Sequence, residues 1–211
     1  MAMGDWYQLT EGTELMQGDI LPGVPILRFP HNVPWPIGVE AEAQIEWESN
    51  DAVIVSQSCD LVERQKADMW LVAVCPVWTL SELSAVNPYL ASSAGREQCR
   101  RGNLPGYHML AGHGEGSFEH EVSIVSFREI WSLPIDFARR FAEGCGPRTR
   151  MRSPYREHLG QAFARYFMRV GLPSDIPRFD GPKDEEKALA ALGVLDPTAR
   201  ARVVAASGLI E

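Results

Sequence analysis

Residues 51–65 read DAVIVSQSCDLVERQ, an apolar run that gives way to Ser56, Gln57, Ser58, Cys59 and Asp60. Side chains of these types at the end of a buried strand admit three chemistries. Hydroxyls and a carboxylate can cap loose backbone groups, with Asp60 opening a turn or short helix and Cys59 filling space as a small buried group. The same residues can form a recognition site at the mouth of a rigid scaffold, where Gln57 and Asp60 offer hydrogen bonds. Alternatively, Cys59 is the nucleophile of a cysteine-dependent hydrolase, which needs a histidine against it; His108, His113, His120 and His158 are the candidates.

Other groupings are weaker. His108, His113, Glu119 and His120 lie close together in HMLAGHGEGSFEH, but an i, i+5 histidine spacing fits no compact zinc motif, and a glycine-rich loop is the simpler reading. The four cysteines, Cys59, Cys75, Cys99 and Cys145, form no C-x-x-C pair and read as reduced thiols. No metal or organic cofactor is therefore expected. Arg152 and Arg156 stand one helical turn apart, as do Arg165 and Arg169, so each pair could grip a phosphate or carboxylate while Tyr155 and Tyr166 stack on bases. A solvated helix back with an aromatic front describes the same residues.

Charge is distributed unevenly. The first 60 residues hold ten acidic side chains and one basic one, Arg28, whereas residues 137–169 hold eight arginines and two glutamates. This pattern implies a basic surface for a polyanion or acidic partner, or an internal neutralisation of one half by the other. No apolar run approaches the roughly 20 residues of a spanning helix. The chain opens without a basic segment leading into an apolar core, so no membrane contact and a cytoplasmic location are expected.

The elements that must position these residues are legible from periodicity. GDIL and GVPILRF predict one or two short strands bent by Pro22 and Pro25. EAEAQIEWE alternates with a period of two, and after a turn at Ser49, Asn50 and Asp51 the run AVIVSQ predicts a central strand. MWLVAVCPVW is a further strand, stopped or shifted by Pro76, and EVSIVSFREIWSLP another, with Val122, Ile124 and Phe127 inward. Residues 79–120 between them read as an inserted loop. Ser153 as N-cap and Pro154 at the first position predict a long helix ending before Gly171 and Pro173, followed by two short helices.

Four motifs in order, QGDIL, DAVIVSQ, LVAVCPVWT and SIVSFREIWSL, resemble the MazF/PemK family of toxins over residues 17–133. The resemblance implies an α+β fold: a small SH3-like β-barrel domain over residues 1–136 with an insertion at 79–120, and a helical C-terminal part over 137–211. It also implies a homodimer and metal-independent RNA cleavage, which in the family relies on an arginine before the second of these strands and a threonine after the third. An arginine there stabilises charge on a phosphate. This sequence has Asn50 and Asp51 at the arginine position, and Thr79 meets the family threonine only with a two-residue shift. The expectation is thus a component of a prokaryotic toxin–antitoxin or antiviral defence system, acting as a non-catalytic binding or regulatory module for a protein partner or single-stranded RNA. Its recognition site would comprise Ser56, Gln57, Ser58, Cys59, Asp60 and Thr79. The alternative is an active endoribonuclease in which Arg64, or an arginine between residues 96 and 101, replaces the missing one.

Overall fold

The computed structural model describes residues 6–28, 46–62, 71–112 and 122–168. The order of elements is β1 (Tyr7–Thr10), β2 (Ile20–Arg28), β3 (Glu46–Ile54), β4 (Leu71–Thr79), α1 (Leu80–Val86), α2 (Pro88–Ala91), α3 (Ser93–Arg100), β5 (Tyr107–Leu110), β6 (Ser123–Ser126), β7 (Trp131–Pro134), α4 (Ile135–Gly144), β8 (Arg148–Met151) and α5 (Tyr155–Phe167). The chain divides into two compact units, Met1–Arg169 and Val170–Glu211. Helices α4 and α5 and strand β8 thus belong with the sheet. The two short helices expected further on lie outside the described residues.

The fold is α+β. Its larger sheet runs β2-β3-β4-β6-β5, with β7 also on β4, and β1 pairs with β8 in a separate ribbon; every pairing is antiparallel. Among the described residues these strands do not close into a barrel. Among the described residues the ribbon's backbone pairs with the sheet side at an isolated bridge between Asp19 and Arg150, and the Met151 N–H donates to Gly18 O at 2.9 Å. On its other side, the Tyr7 hydroxyl donates to Ala111 O at 2.8 Å, a side-chain contact where closure would need a ladder.

Strand β3 passes straight through Ser49, Asn50 and Asp51, where a turn was expected. The partner strand supplies the reason. Between Leu21 and Val24 β2 slips register, with Gly23 at φ +64°, and the polar side chains opposite stitch this bulge: Gly23 N donates to Asp51 Oδ1 at 2.8 Å and Ser49 Oγ donates to Gly23 O at 2.8 Å. Pro76 likewise does not end β4. One edge of β4 pairs with β7 from Leu71 to Val74 and with β6 from Val77 to Thr79, so the proline falls between two ladders. For the same reason residues 122–134 form two strands rather than one, and all of β6 is buried.

Both faces of β3 are covered, which explains its unbroken apolar run. Ala52 and Ile54 pack with Val24, Ile26, Val72 and Val74 against Ala138 and Ala142 of α4. Val53 and Val55 pack with Cys75, Val77 and Phe127 against Leu159 of α5. Helix α5 starts one residue later than the sequence suggested, with Pro154 rather than Ser153 at the N-cap and no side-chain cap. The insertion is not a bare loop. Its first part folds as α1–α3 because each helix has a side-chain N-cap, Thr79, Asn87 and Ser92 in turn, and Leu90 and Cys99 pack on Tyr107 and Ile124 of the sheet.

Candidate functional site

Three places deserve comparison as sites, and two of them collect residues singled out in the sequence. The first is a pocket of about 190 Å³ lined by Ser49, Asn50, Asp51, Val77, Trp78, Thr79, Glu82 and Ser123. It brings together Thr79 and the Asn50–Asp51 pair, which the sequence resemblance set against a catalytic threonine, with a two-residue shift, and a catalytic arginine. Its chemistry differs from that of a phosphate site. Thr79 caps α1: its Oγ1 accepts from Glu82 N at 3.1 Å and donates to Glu82 Oε2 at 2.7 Å, and Glu82 Oε2 also accepts from Thr79 N at 2.9 Å. Asp51 and Glu82 are acidic, and among the described residues no arginine lines the pocket and Asn50 Nδ2 is buried without a hydrogen-bond partner. Two carboxylates beside a phosphodiester would oppose the charge that builds during cleavage.

Of the arginines considered as replacements, Arg96, Arg100 and Arg101 are occupied elsewhere. Arg96 donates to Leu90 O and Ala91 O, closing the end of α2. Arg100 and Arg101 both bind Glu97, and these hydrogen bonds hold its exposed carboxyl down to about 2. Arg64 lies outside the described residues.

The second place is the end of β3. Ser56 Oγ accepts from Ala73 N at 2.8 Å and Ser58 Oγ accepts from Gln17 N at 3.1 Å, so both serines satisfy backbone groups. Asp60 ends a 3-10 turn, Ser58–Asp60, instead of opening a helix, and Gln57 at its N-cap makes no side-chain cap bond. Cys59 is exposed, not buried. Ser58 and Cys59 line a cavity of about 470 Å³ with Thr13, Glu14, Leu15, Met16, Leu61, Val62 and Arg139. Neither His108 nor His158 lines it; His113 and His120 lie outside the described residues. Thr79 on one side and Ser58 and Cys59 on the other therefore line separate cavities.

His108 sits on β5 with Nε2 buried and unpartnered among the described residues. Burial pushes its imidazole down to about 4, and the positive charges of His158 and Arg165 on α5 act in the same direction. No group of three His, Cys, Asp or Glu side chains among the described residues could hold a metal ion.

The basic segment has two fates. Arg148 and Arg150 are buried on β8 around the buried carboxylate of Asp19. Arg148 also donates to Gly12 O at 2.8 Å and to Glu14 O, and Arg150 donates to Glu14 O at 2.9 Å. Here an acidic residue of the first half offsets arginines of the basic segment internally, one carboxylate against two guanidinium groups whose remaining N–H groups go to backbone carbonyls. Toward the surface, Arg156 pairs with Glu157 at 2.8 Å, Arg152 precedes α5 and is exposed, and Arg165 is exposed on α5; Arg169 lies outside the described residues.

The third place was not anticipated. Pro25, Ile26 and Leu27 of β2 face Ile130, Trp131, Ser132, Leu133, Pro134 and Phe137 across an apolar groove of about 480 Å³. Among the described residues β2 has a ladder partner from Val24 to Arg28 only in β3, and β7 only in β4, so the groove runs between two strand edges. Leu27 is 69 % exposed, and its register partner Trp47 is 66 % exposed. Arg28 spans the groove's end, 2.9 Å from Glu48 and 3.5 Å from Glu129. The signal for this surface was weak in the sequence: two apolar residues on the outer side of a hairpin look like core residues until the described residues are seen to place no layer opposite them.

Compared with protein-family models, with curated proteins and with solved structures, the chain matches none.

Proposed function

We propose that this chain is a non-catalytic binding module, built on a MazF/PemK-like plan, that engages a protein partner within a prokaryotic toxin–antitoxin or antiviral defence system. The observation that carries the reading is the apolar groove between the edges of β2 and β7 that have no ladder partner among the described residues, with Leu27 and Trp47 exposed beside it. Strand edges that flank an apolar trough suit an extended peptide, whose main chain can pair with an edge while alternate side chains enter the trough. The order of the four sequence motifs supports the family plan. The acidic pocket at Thr79 favours binding over RNA cleavage.

The test is a selection of extended peptides from a displayed random library on the full chain, followed by affinity measurement with Leu27→Asp and Ile130→Asp proteins. Peptides with alternating apolar residues whose affinity falls at least about tenfold in both variants are expected, since each change places a charge in an apolar contact. Peptide binding unaffected by either substitution, or salt-sensitive RNA binding with no peptide binding, overturns the reading.

A further inference from the structure

Hydrogen-bond directions along the two edges of the apolar groove decide which of them can take a strand. In an antiparallel ladder successive residues turn their N–H and C=O groups to opposite sides. Ala73 O accepts from Val55 N at 3.0 Å and Ala73 N donates to Ser56 Oγ at 2.8 Å, so Ala73 of β4 faces β3. Its neighbours Val72 and Val74 therefore face β7, and their register partners Leu133 and Trp131 face back. Ser132 and Pro134 turn away from β4, and both line the groove. Strand β2 follows the same alternation. Ile54 N donates to Asp19 O and Ile54 O accepts from Gly18 N, each at 2.9 Å, which turns Asn50 and Glu48 of β3 toward their partners Val24 and Ile26 and leaves Pro25 and Leu27 facing outward.

Pro25 and Pro134 thus stand where a missing N–H interrupts no existing ladder. Beside them, Leu27 and Ser132 each turn both an N–H and a C=O outward. Next to Leu27, Arg28 closes the groove's end 3.5 Å from Glu129, whereas Ser132 is exposed. That closed end is also charged. The single guanidinium of Arg28 lies 2.9 Å from Glu48 and 3.5 Å from Glu129, and all three side chains are partly exposed, so one negative charge among them is unbalanced.

Given the peptide-binding role proposed above, on which this rests, we infer that the partner's segment adds as a strand antiparallel to β7, one of its residues exchanging both main-chain hydrogen bonds with Ser132. The residues on either side of it fall on the face of Leu133 and Trp131, which pack with Ile26 and Phe137, and are apolar. Two residues beyond the second apolar one, toward the C-terminus of the segment, a basic side chain comes beside Glu129. The recognised sequence is apolar-x-apolar-x-basic.

The test uses peptides selected on the full chain from a displayed random library, then synthesised with one N-methyl amide at each position in turn. They are expected to share the pattern, and N-methylation of the residue between the two apolar ones weakens binding at least about tenfold. Ser132→Pro removes the outward N–H without breaking the β4 ladder, so the protein keeps its cooperative unfolding while affinity falls at least about tenfold. Ser132→Ala retains the N–H and the affinity. Glu129→Gln weakens binding about threefold, the size of an exposed ion pair. Should the Ser132→Pro protein not fold, the N-methyl series decides alone. Selection of no peptide removes the proposed role of the groove and this strand with it. Peptides that need Leu27 and Ile130 but tolerate N-methylation at every position, or that carry an acidic residue at the basic position, overturn the strand and leave the role of the groove standing.

Discussion

Asp19 is the side chain on which most of the buried polar structure depends. Its two oxygens face two guanidinium groups on neighbouring alternate positions of β8, and all three side chains are almost fully withdrawn from water. Burial works against charging Arg150, yet the hydrogen bond and charge of Asp19 raise its pKa above the ordinary arginine value. Removing the carboxylate leaves two buried cations without their counter-charge. Asp19→Asn is expected to cost about 3–5 kcal/mol of stability, read from urea unfolding. His108 gives a second prediction. Its folded pKa, about 4, lies below the unfolded value, so between these values the unfolded chain binds more protons and stability falls as pH drops from about 6.5 towards 4. The loss amounts to up to about 3 kcal/mol. His108→Phe should flatten that part of the stability profile, measured by unfolding at pH 7, 5.5 and 4.5.

Among the elements, the predictions that rested on apolar periodicity fared best, and those that rested on a single breaker or a single helix cap, such as Ser153 for α5 and Asp60 after β3, fared worst. The central strand at AVIVSQ and the helix after Arg152 follow from apolar content that both faces of β3 and the inner face of α5 require. Ser49, Asn50 and Asp51 looked like a turn because their partner, a bulge that sets Pro22 and Gly23 opposite Asp51, cannot be seen from one strand alone. Strand β8 escaped notice for a different reason: only four residues long and buried throughout, it has no alternation, and its arginines resemble a solvated basic surface. The serine cluster at Ser56 and Ser58 was legible as backbone capping chemistry, while the cavity beside it depends on Arg139, distant in sequence. Two substitutions test this level. Gly23→Ala forces a left-handed residue with Ser49 Oγ only 3.1 Å from the new Cβ, and should cost about 1–2 kcal/mol. Thr79→Ala removes the capping box of α1 and should cost about 1 kcal/mol in the same unfolding experiment.

At the scale of the whole molecule, the surface holds two contrasting places: an acidic pocket whose threonine is committed to a helix cap, and an apolar groove that remains uncovered among the described residues. No helix among the described residues is long and apolar enough to cross a membrane, so the exposed Leu27 and Trp47 are not part of a spanning helix. Exposed apolar residues gathered along a groove mark interaction surfaces more often than scattered ones do. The measurement that bears most directly on this account is incubation of the purified chain, without added metal, with a long mixed-sequence single-stranded RNA, beside the Thr79→Ala protein. The account predicts intact RNA in both reactions. Cleavage by the unsubstituted chain that disappears in Thr79→Ala would contradict it and make the pocket at Thr79 a catalytic site.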